Sequence, residues 1–477
     1  MIRRGLLGYG LVLVGGMVVS VFPDSSRVTA LPVLSTLRET TSGRMLGLAV
    51  VVVGLGLATS AWLRLVRLST SDPSGETQRL ARVRRATVAW CLPLLLAPPM
   101  FSRDGWSYAA QGTLTHLELS PYVWTPSVLD GPIWEAVDPM WRNTTTPYGP
   151  VPLLWGAVAA DLTVDPWLLV IAHRLLALVG LGLLAYAVPR LAARSGVSGA
   201  RASALVIASP LMMAHGVAGL HNDVLMVGLM AVALVVALER SWLLGAVLVG
   251  VASAVKLPAG LVGVAVVLVS LPTAATMGRR LMRLTTVGTV AVGTLVGVGV
   301  LGGLGVGWGH ALGVPGQVQT PLSIPTQAGR LFGAMTGFDA VGPARTIGVL
   351  ALVLFVALVA IRAPTGSAAA GIRASALLAL AAVLMSPVVH LWYLLWCLPL
   401  VAVCRLDRRG AAVLLHVSWV GGLVAPLDSS LAGADDVIAV GVAVVTGTAV
   451  VQALAHRKSA RQAERPASAV GSSALRR

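Results

Sequence analysis

Three polar motifs interrupt an otherwise apolar chain, and each carries residue types that chemistry needs. The first is Phe101-Ser102-Arg103-Asp104-Gly105-Trp106-Ser107-Tyr108. Asp104 follows an apolar run directly, so its carboxylate is held at a surface yet partly screened from bulk water. A transfer to a hydroxyl needs a general base in such a place. Ser102 and Asp104 are also good helix caps, and the same residues serve equally to start a helix. The second motif is His221-Asn222-Asp223, three polar groups in a tight turn. They can contact a sugar or a phosphate, or cap the next helix. The third is Lys256, in Ala254-Val255-Lys256-Leu257-Pro258, the only lysine ahead of the C-terminal tail. A cation at membrane depth needs a partner, and a lipid phosphate is a natural one. The alternative is a side chain that snorkels to the interface.

Other residues join these as weaker candidates. Arg103, Tyr108, Arg142 and Tyr148 share a polar stretch with Asp104, and Arg330 lies in a second one. Arg142 and Arg330 can hold a phosphate bidentately or be solvated. His390, with Trp392 and Tyr393, ends an apolar run, where the two aromatics read as an interfacial belt rather than a sugar platform. Arg174, beside His173, lies two turns inside a run and is expected to pair with a carboxylate for structure. Cys91, Cys397 and Cys404 show no metal spacing and read as buried hydrophobes. No Walker loop, dinucleotide fingerprint, metalloprotease helix or nucleophile elbow is present. Energy for any reaction then comes from an activated substrate or an ion gradient, and neither a cofactor nor a metal is implied.

The elements that must position these residues are membrane helices. Hydrophobic residues make up 56% of the 477 and charged ones 11%, with a mean hydropathy of +0.84. That leaves too little charge to cover a soluble surface. The net charge of +16 sits in short arginine clusters between apolar runs, the pattern of cytoplasmic loops, and does not point to nucleic acid. Apolar runs predict about fourteen crossings, at 5–22, 45–66, 86–101, 166–188, 202–217, 223–239, 241–255, 257–273, 285–308, 346–361, 374–387, 391–404, 410–427 and 434–455. Arg3 and Arg4 place the N-terminus inside. The later arginine clusters then fall inside as well, provided that 149–164 lies at the outer interface without spanning. The fold class is all-α, a polytopic helical membrane protein with both termini cytoplasmic. Residues 1–456 form the membrane domain, with outer loops at 102–148 and 309–345, and 457–477 form a basic, disordered tail.

At this point the motifs resemble a family. Phe101-Ser102-Arg103-Asp104 through Ala109-Ala110-Gln111-Gly112, then Pro121-Tyr122, Asp138-Pro139-Met140-Trp141-Arg142-Asn143-Thr144 and Pro147-Tyr148-Gly149-Pro150 are similar to the actinobacterial polyprenol-phosphate-mannose-dependent α-1,6-mannosyltransferases. So are His221-Asn222-Asp223 and Val255-Lys256-Leu257-Pro258. The likeness runs from about residue 86 to about 430. It implies a GT-C type glycosyltransferase of the cell membrane, building the mannan core of lipomannan and lipoarabinomannan. Its partners would be a polyprenyl-phosphate sugar donor, a lipid-linked mannan acceptor and membrane lipids, and Asp104 matches the family's outer-loop acid. A polyprenyl-phosphate-arabinose enzyme and a lipid or sugar flippase remain the alternatives. A transporter would carry ionisable groups near mid-membrane, whereas here, Arg174 apart, they gather at outer ends.

Overall fold

The computed structural model describes residues 1–428 and 433–463. Every regular element among them is helical. Six helices are long and apolar enough to cross a bilayer: Ile2–Val19, Thr41–Ser71, Pro166–Arg194, Met277–Leu301, Val341–Arg362 and Ala368–Met385. One further apolar pair, Met212–Ala218 and Asp223–Glu239, meets at 107°, the geometry of a broken span or a re-entrant loop, and brings the number to seven if the pair is one span. The chain is therefore a polytopic helical membrane protein. Four more apolar helices, Pro150–Leu162, Trp242–Ser253, Leu257–Ser270 and Leu391–Ala402, are shorter.

The expectation of about fourteen crossings counted every apolar run as one. By length and apolarity six or seven pass, because hydropathy does not distinguish a straight span from a broken one. The run 202–217 shows why. Its first helix, Gly199–Val206, stops before Pro210, and the chain resumes as a π-helical turn, Met212–Ala218. Proline removes a helix hydrogen bond, and π turns recur where helices are interrupted for function. The last helix, Ala434–Ala463, takes in the start of the expected tail; residues 464–477 of that tail lie outside the described residues.

Two interruptions matter for the site. One joins the helix Glu76–Leu94 to Asp104–His116, and the other joins Met212–Ala218 to Asp223–Glu239. Phe101 (φ 64°), which opens the first polar motif, and Leu220 (φ 47°), just before the second, are in the left-handed region. That conformation is costly for bulky side chains and is kept only where its surroundings enforce it. The two turns enforce each other, since Met100 N–H donates to Ala218 O at 3.1 Å.

Arg174 completes this junction. Among the described residues it pairs with no carboxylate, contrary to the expectation from sequence. Its guanidinium donates to Leu95 O (2.9 Å), Pro98 O (3.2 Å), Val217 O (3.1 Å) and Ala218 O (3.4 Å). Those carbonyls were freed when the two helices ended, and a forked, always charged donor satisfies several at once. One buried arginine thus fixes both turns that present the polar motifs.

The stretch 149–164, expected at the interface, contributes the helix Pro150–Leu162. It is about 20 Å long, shorter than a hydrocarbon core of about 30 Å. It crosses Asp104–His116 where Gly112 meets Gly156, and a Cβ on either would lie 2.6 Å from the other's Cα. This close crossing seats the Asp104 helix from behind.

Candidate functional site

Asp104 is the first residue of its helix, and its carboxylate does not act as the cap. Ser102 Oγ accepts from the Asp104 N–H instead, at 3.0 Å. The Asp104 side chain turns inward and is buried. Its Oδ2 lies 3.4 Å from Tyr108 OH, 3.5 Å from Tyr148 OH and 3.5 Å from His221 Nδ1. Tyr108 follows Asp104 by one helical turn, which brings both to one face. The two tyrosine hydroxyls are 3.1 Å apart. None of the contacts to Asp104 is short, so the carboxylate is surrounded without being saturated.

A second carboxylate lies across the cluster. Asp223 begins the helix after the second turn and is fully buried. Its Oδ1 accepts from Lys256 Nζ at 2.8 Å and from Trp396 Nε1. The ammonium also sits over the rings of Tyr393 (4.5 Å), Trp396 (5.2 Å) and Tyr148 (5.3 Å). An aromatic cage of this kind steadies a cation through the negative ring faces. Lys256 is thus held in the interior rather than snorkelling outward.

Backbone pairing brings Tyr148 to Lys256. Gly149 N–H donates to Val255 O at 3.0 Å, and Val151 N–H to Ala254 O at 2.9 Å. A Cβ at residue 149 would lie 2.3 Å from Ala254 O, so only glycine allows this approach.

Two histidines complete the cluster. His221 stacks on Trp392 at 4.0 Å, and His390 stacks on the same residue at 4.2 Å. Trp392 is buried, so it is a structural plate of the site and not part of an interfacial belt. Tyr393 and Trp396 likewise face Lys256. Sequence reasoning set aside the first two aromatics and missed Trp396. The available signal was the one-turn spacing from Trp392 to Trp396 beside His390.

Charge is distributed unevenly among these groups. Burial opposes ionisation of Asp104, but the hydrogen bond and charge of His221, then His390 and Lys256, hold its carboxyl below the usual value. Burial also disfavours the Lys256 ammonium, yet Asp223 and then Tyr393 raise it above the ordinary lysine value. Burial lowers His390 to about 4, against the pull of Asp104. At neutral pH the cluster therefore presents an ionised Asp104, a charged Lys256 and a neutral His390.

Several polar atoms here are buried and unpartnered: His221 Nε2, both amide atoms of Asn222, and Asp223 Oδ2. Unpaired buried polar groups are costly, and these converge from a single turn. The remaining candidates stand apart. Arg103 lines a separate cavity of about 570 Å³ with Arg38 and Glu39. Arg142 donates to Glu135 O (2.8 Å) and Val137 O (3.1 Å) and lies over Trp134, so it braces its own loop. Arg330 is exposed and bonded to Gln319 Oε1 at 2.8 Å. Among the described residues no three His, Cys, Asp or Glu side chains form a metal-binding group.

Fold and cluster define a polytopic helical membrane protein whose ionisable groups meet where two interrupted helices restart. The chain belongs to the alpha-(1->6)-mannopyranosyltransferase family: residues 2–272 match the family's N-terminal domain, and residues 324–455 match the MptB C-terminal domain. That membership marks it as a mannosyltransferase. It is 31% identical over 430 residues to a probable alpha-(1->6)-mannopyranosyltransferase of Mycolicibacterium smegmatis, covering 80% of this chain and 74% of the relative. It is 36% identical over 263 residues to alpha-(1->6)-mannopyranosyltransferase A of Mycobacterium tuberculosis, covering 54% of this chain and 49% of the relative. Against alpha-(1->6)-mannopyranosyltransferase B of Corynebacterium glutamicum the identity is 27% over 435 residues, covering 83% and 70%. No solved structure matches the chain.

The tight seam at Gly149 gives a first test. Gly149→Ala should push residues 148–151 off the Ala254 carbonyl, at a cost of about 1–3 kcal/mol typical of overpacking. The purified protein should show a lower thermal midpoint and reduced mannosyl transfer, because Tyr148 leaves Lys256. An unchanged midpoint together with unchanged transfer would remove the seam from this account.

Proposed function

We propose that the chain moves mannose from a polyprenyl-phosphate donor to a mannan or lipomannan-type acceptor, forming α-1,6 linkages with inversion on the extracytoplasmic face. The observation that supports this most is the opposed pair in one buried cluster: an ionised, unsaturated carboxylate at Asp104 and a caged ammonium at Lys256. Group transfer from a phosphate to a hydroxyl needs a base on one side and a cation on the other.

In this scheme the acceptor 6-hydroxyl attacks the anomeric carbon and gives its proton to Asp104. The bond from that carbon to the phosphate oxygen breaks, and the phosphate leaves with both electrons. Lys256 neutralises the charge that develops there, with His221, Asn222 and His390 as further contacts. A single displacement inverts the anomeric centre. The phosphate leaves without protonation, so a second carboxylate acid is unnecessary, unlike in glycoside hydrolysis. Lys256 supplies the positive charge, and the scheme requires no divalent metal or other cofactor. Arg142 and Arg330 are left out of it because their guanidinia serve their own loops.

Membranes containing the protein, supplied with radiolabelled polyprenyl-phosphate mannose and a short α-1,6-mannoside, should transfer label to the acceptor. Polyprenyl-phosphate arabinose should not replace the donor. Transfer of arabinose in place of mannose, or movement of the lipid across the bilayer with no glycosidic product, would refute this reading.

A further inference from the structure

The far end of the molecule holds two adjoining cavities that the reaction does not use. His173, whose ring lies 5.7 Å from that of Tyr108, shares the helix Pro166–Arg194 with Arg194. By the rise per residue the two are about 30 Å apart, which is one hydrocarbon thickness. Arg194 lines a cavity of about 760 Å³ together with Arg373 and Arg405. A second cavity, of about 550 Å³, shares Gly196, Cys404 and Arg405 with the first and adds Arg79 and Arg201. Five arginines thus surround the two spaces, and no carboxylate lines either.

The cations differ in how they are engaged. Arg79 pairs with Glu76 at 3.0 Å and Arg194 with Glu239 at 3.6 Å. Arg405 uses its Nε to reach Ser195 O at 2.9 Å. Arg373 is exposed and its side chain has no hydrogen-bond or carboxylate partner among the described residues. Like charges facing one space repel unless an anion lies between them. The rest of the first cavity's lining is largely apolar: Val359, and, on the same helix as Arg373, Ala370, Ala374 and Leu377. Leu377 is also 42% exposed on the outer surface of its membrane helix, so this lining continues onto the lipid-facing side. A small hydrated anion gains nothing from such a lining, whereas an amphiphile with an anionic head gains from both parts.

We propose that this cavity seats an anionic membrane phospholipid, with its phosphate between Arg373 and Arg405 and an acyl chain along Val359, Ala374 and Leu377. A guanidinium fork matches phosphodiester oxygens bidentately, and basic pockets between membrane helices hold anionic headgroups. The inference rests on the fold alone and is independent of the donor and acceptor proposed above.

The test uses the full-length protein in mild detergent, stripped of lipid and titrated with phosphatidylglycerol, phosphatidylcholine or inorganic phosphate under native mass spectrometry. Phosphatidylglycerol should be retained about tenfold more tightly than phosphatidylcholine, a difference worth about 1.4 kcal/mol. Arg373→Glu should bring phosphatidylglycerol down to the phosphatidylcholine level. Its lipid-free melting should be unchanged, since the side chain holds no other group. Arg201→Glu makes the same change in net charge outside the seat and should keep the preference. Equal retention of the two lipids by the parent protein would overturn the site. So would a preference that survives in Arg373→Glu, or is lost equally in Arg201→Glu. Displacement of phosphatidylglycerol by inorganic phosphate at equal concentration would overturn the lipid as occupant.

Discussion

Lys256→Met is expected to abolish use of the donor and to destabilise the fold at the same time. Asp223 would keep only the Trp396 N–H on a carboxylate that is fully buried. Removing one partner of a buried pair costs about 3–5 kcal/mol, because the other charge stays uncompensated. That cost must be separated from any loss of phosphate stabilisation. The double variant Lys256→Met/Asp223→Asn removes both charges and should recover most of the thermal midpoint. Transfer should remain at least about 100-fold down, since the cation facing the leaving phosphate is still absent. Lys256→Arg keeps the charge, but a planar fork does not fit a cage whose rings lie 4.5–5.3 Å from a point charge. It should retain part of the activity. A refolded double variant with normal donor affinity and turnover would reduce Lys256 to a counter-ion for Asp223.

This pair also shows what a sequence reveals and what it withholds. Lys256 stood out because it is a lone lysine among arginines, a compositional fact needing no structure. Its partner did not stand out, because Asp223 and Lys256 meet only when the turn before one helix folds against the end of another. The tight turn at His221-Asn222-Asp223 was legible as polar, but its burial was not. Trp392 and Tyr393 looked like belt residues, since aromatics at the end of an apolar run are common at interfaces. The stacking of Trp392 on His221 and the approach of Tyr393 to Lys256 depend on a loop that folds back into the helices. Arg174 was legible as unusual, and its real partners, four carbonyls freed by two broken helices, were not. Class and polarity were readable because they depend on local composition. Helix breaks and cross-chain pairings were not, because many local sequences are compatible with each.

Asp104→Asn is expected to leave the fold intact while transfer falls by roughly 100-fold or more, the usual scale for removing a general base. The amide keeps the size of the carboxylate, and the helix start is secured by Ser102 Oγ on the Asp104 N–H, so the substitution loses no cap. The thermal midpoint should move little, because the contacts to Tyr108, Tyr148 and His221 are 3.4–3.5 Å long. Donor affinity should also hold, since a carboxylate repels the phosphate rather than binding it. The pH dependence has a definite sign. Asp104 is held below the ordinary carboxyl value, so its ionised form, and the stability it contributes, is lost only as pH falls through that depressed value. The kcat/KM profile should therefore show no acid limb from this residue between pH 5 and 7, a range in which an unperturbed carboxylate is also largely ionised. His221 provides the contrasting experiment. Its Nδ1 faces Asp104 while its Nε2 is buried and unpartnered, so an aspartate-oriented imidazole is the other candidate to receive the proton. His221→Gln should cost less than Asp104→Asn if the carboxylate takes the proton directly. A larger loss in His221→Gln, with a well-folded Asp104→Asn retaining substantial turnover, would transfer the base to His221 and leave Asp104 to orient it.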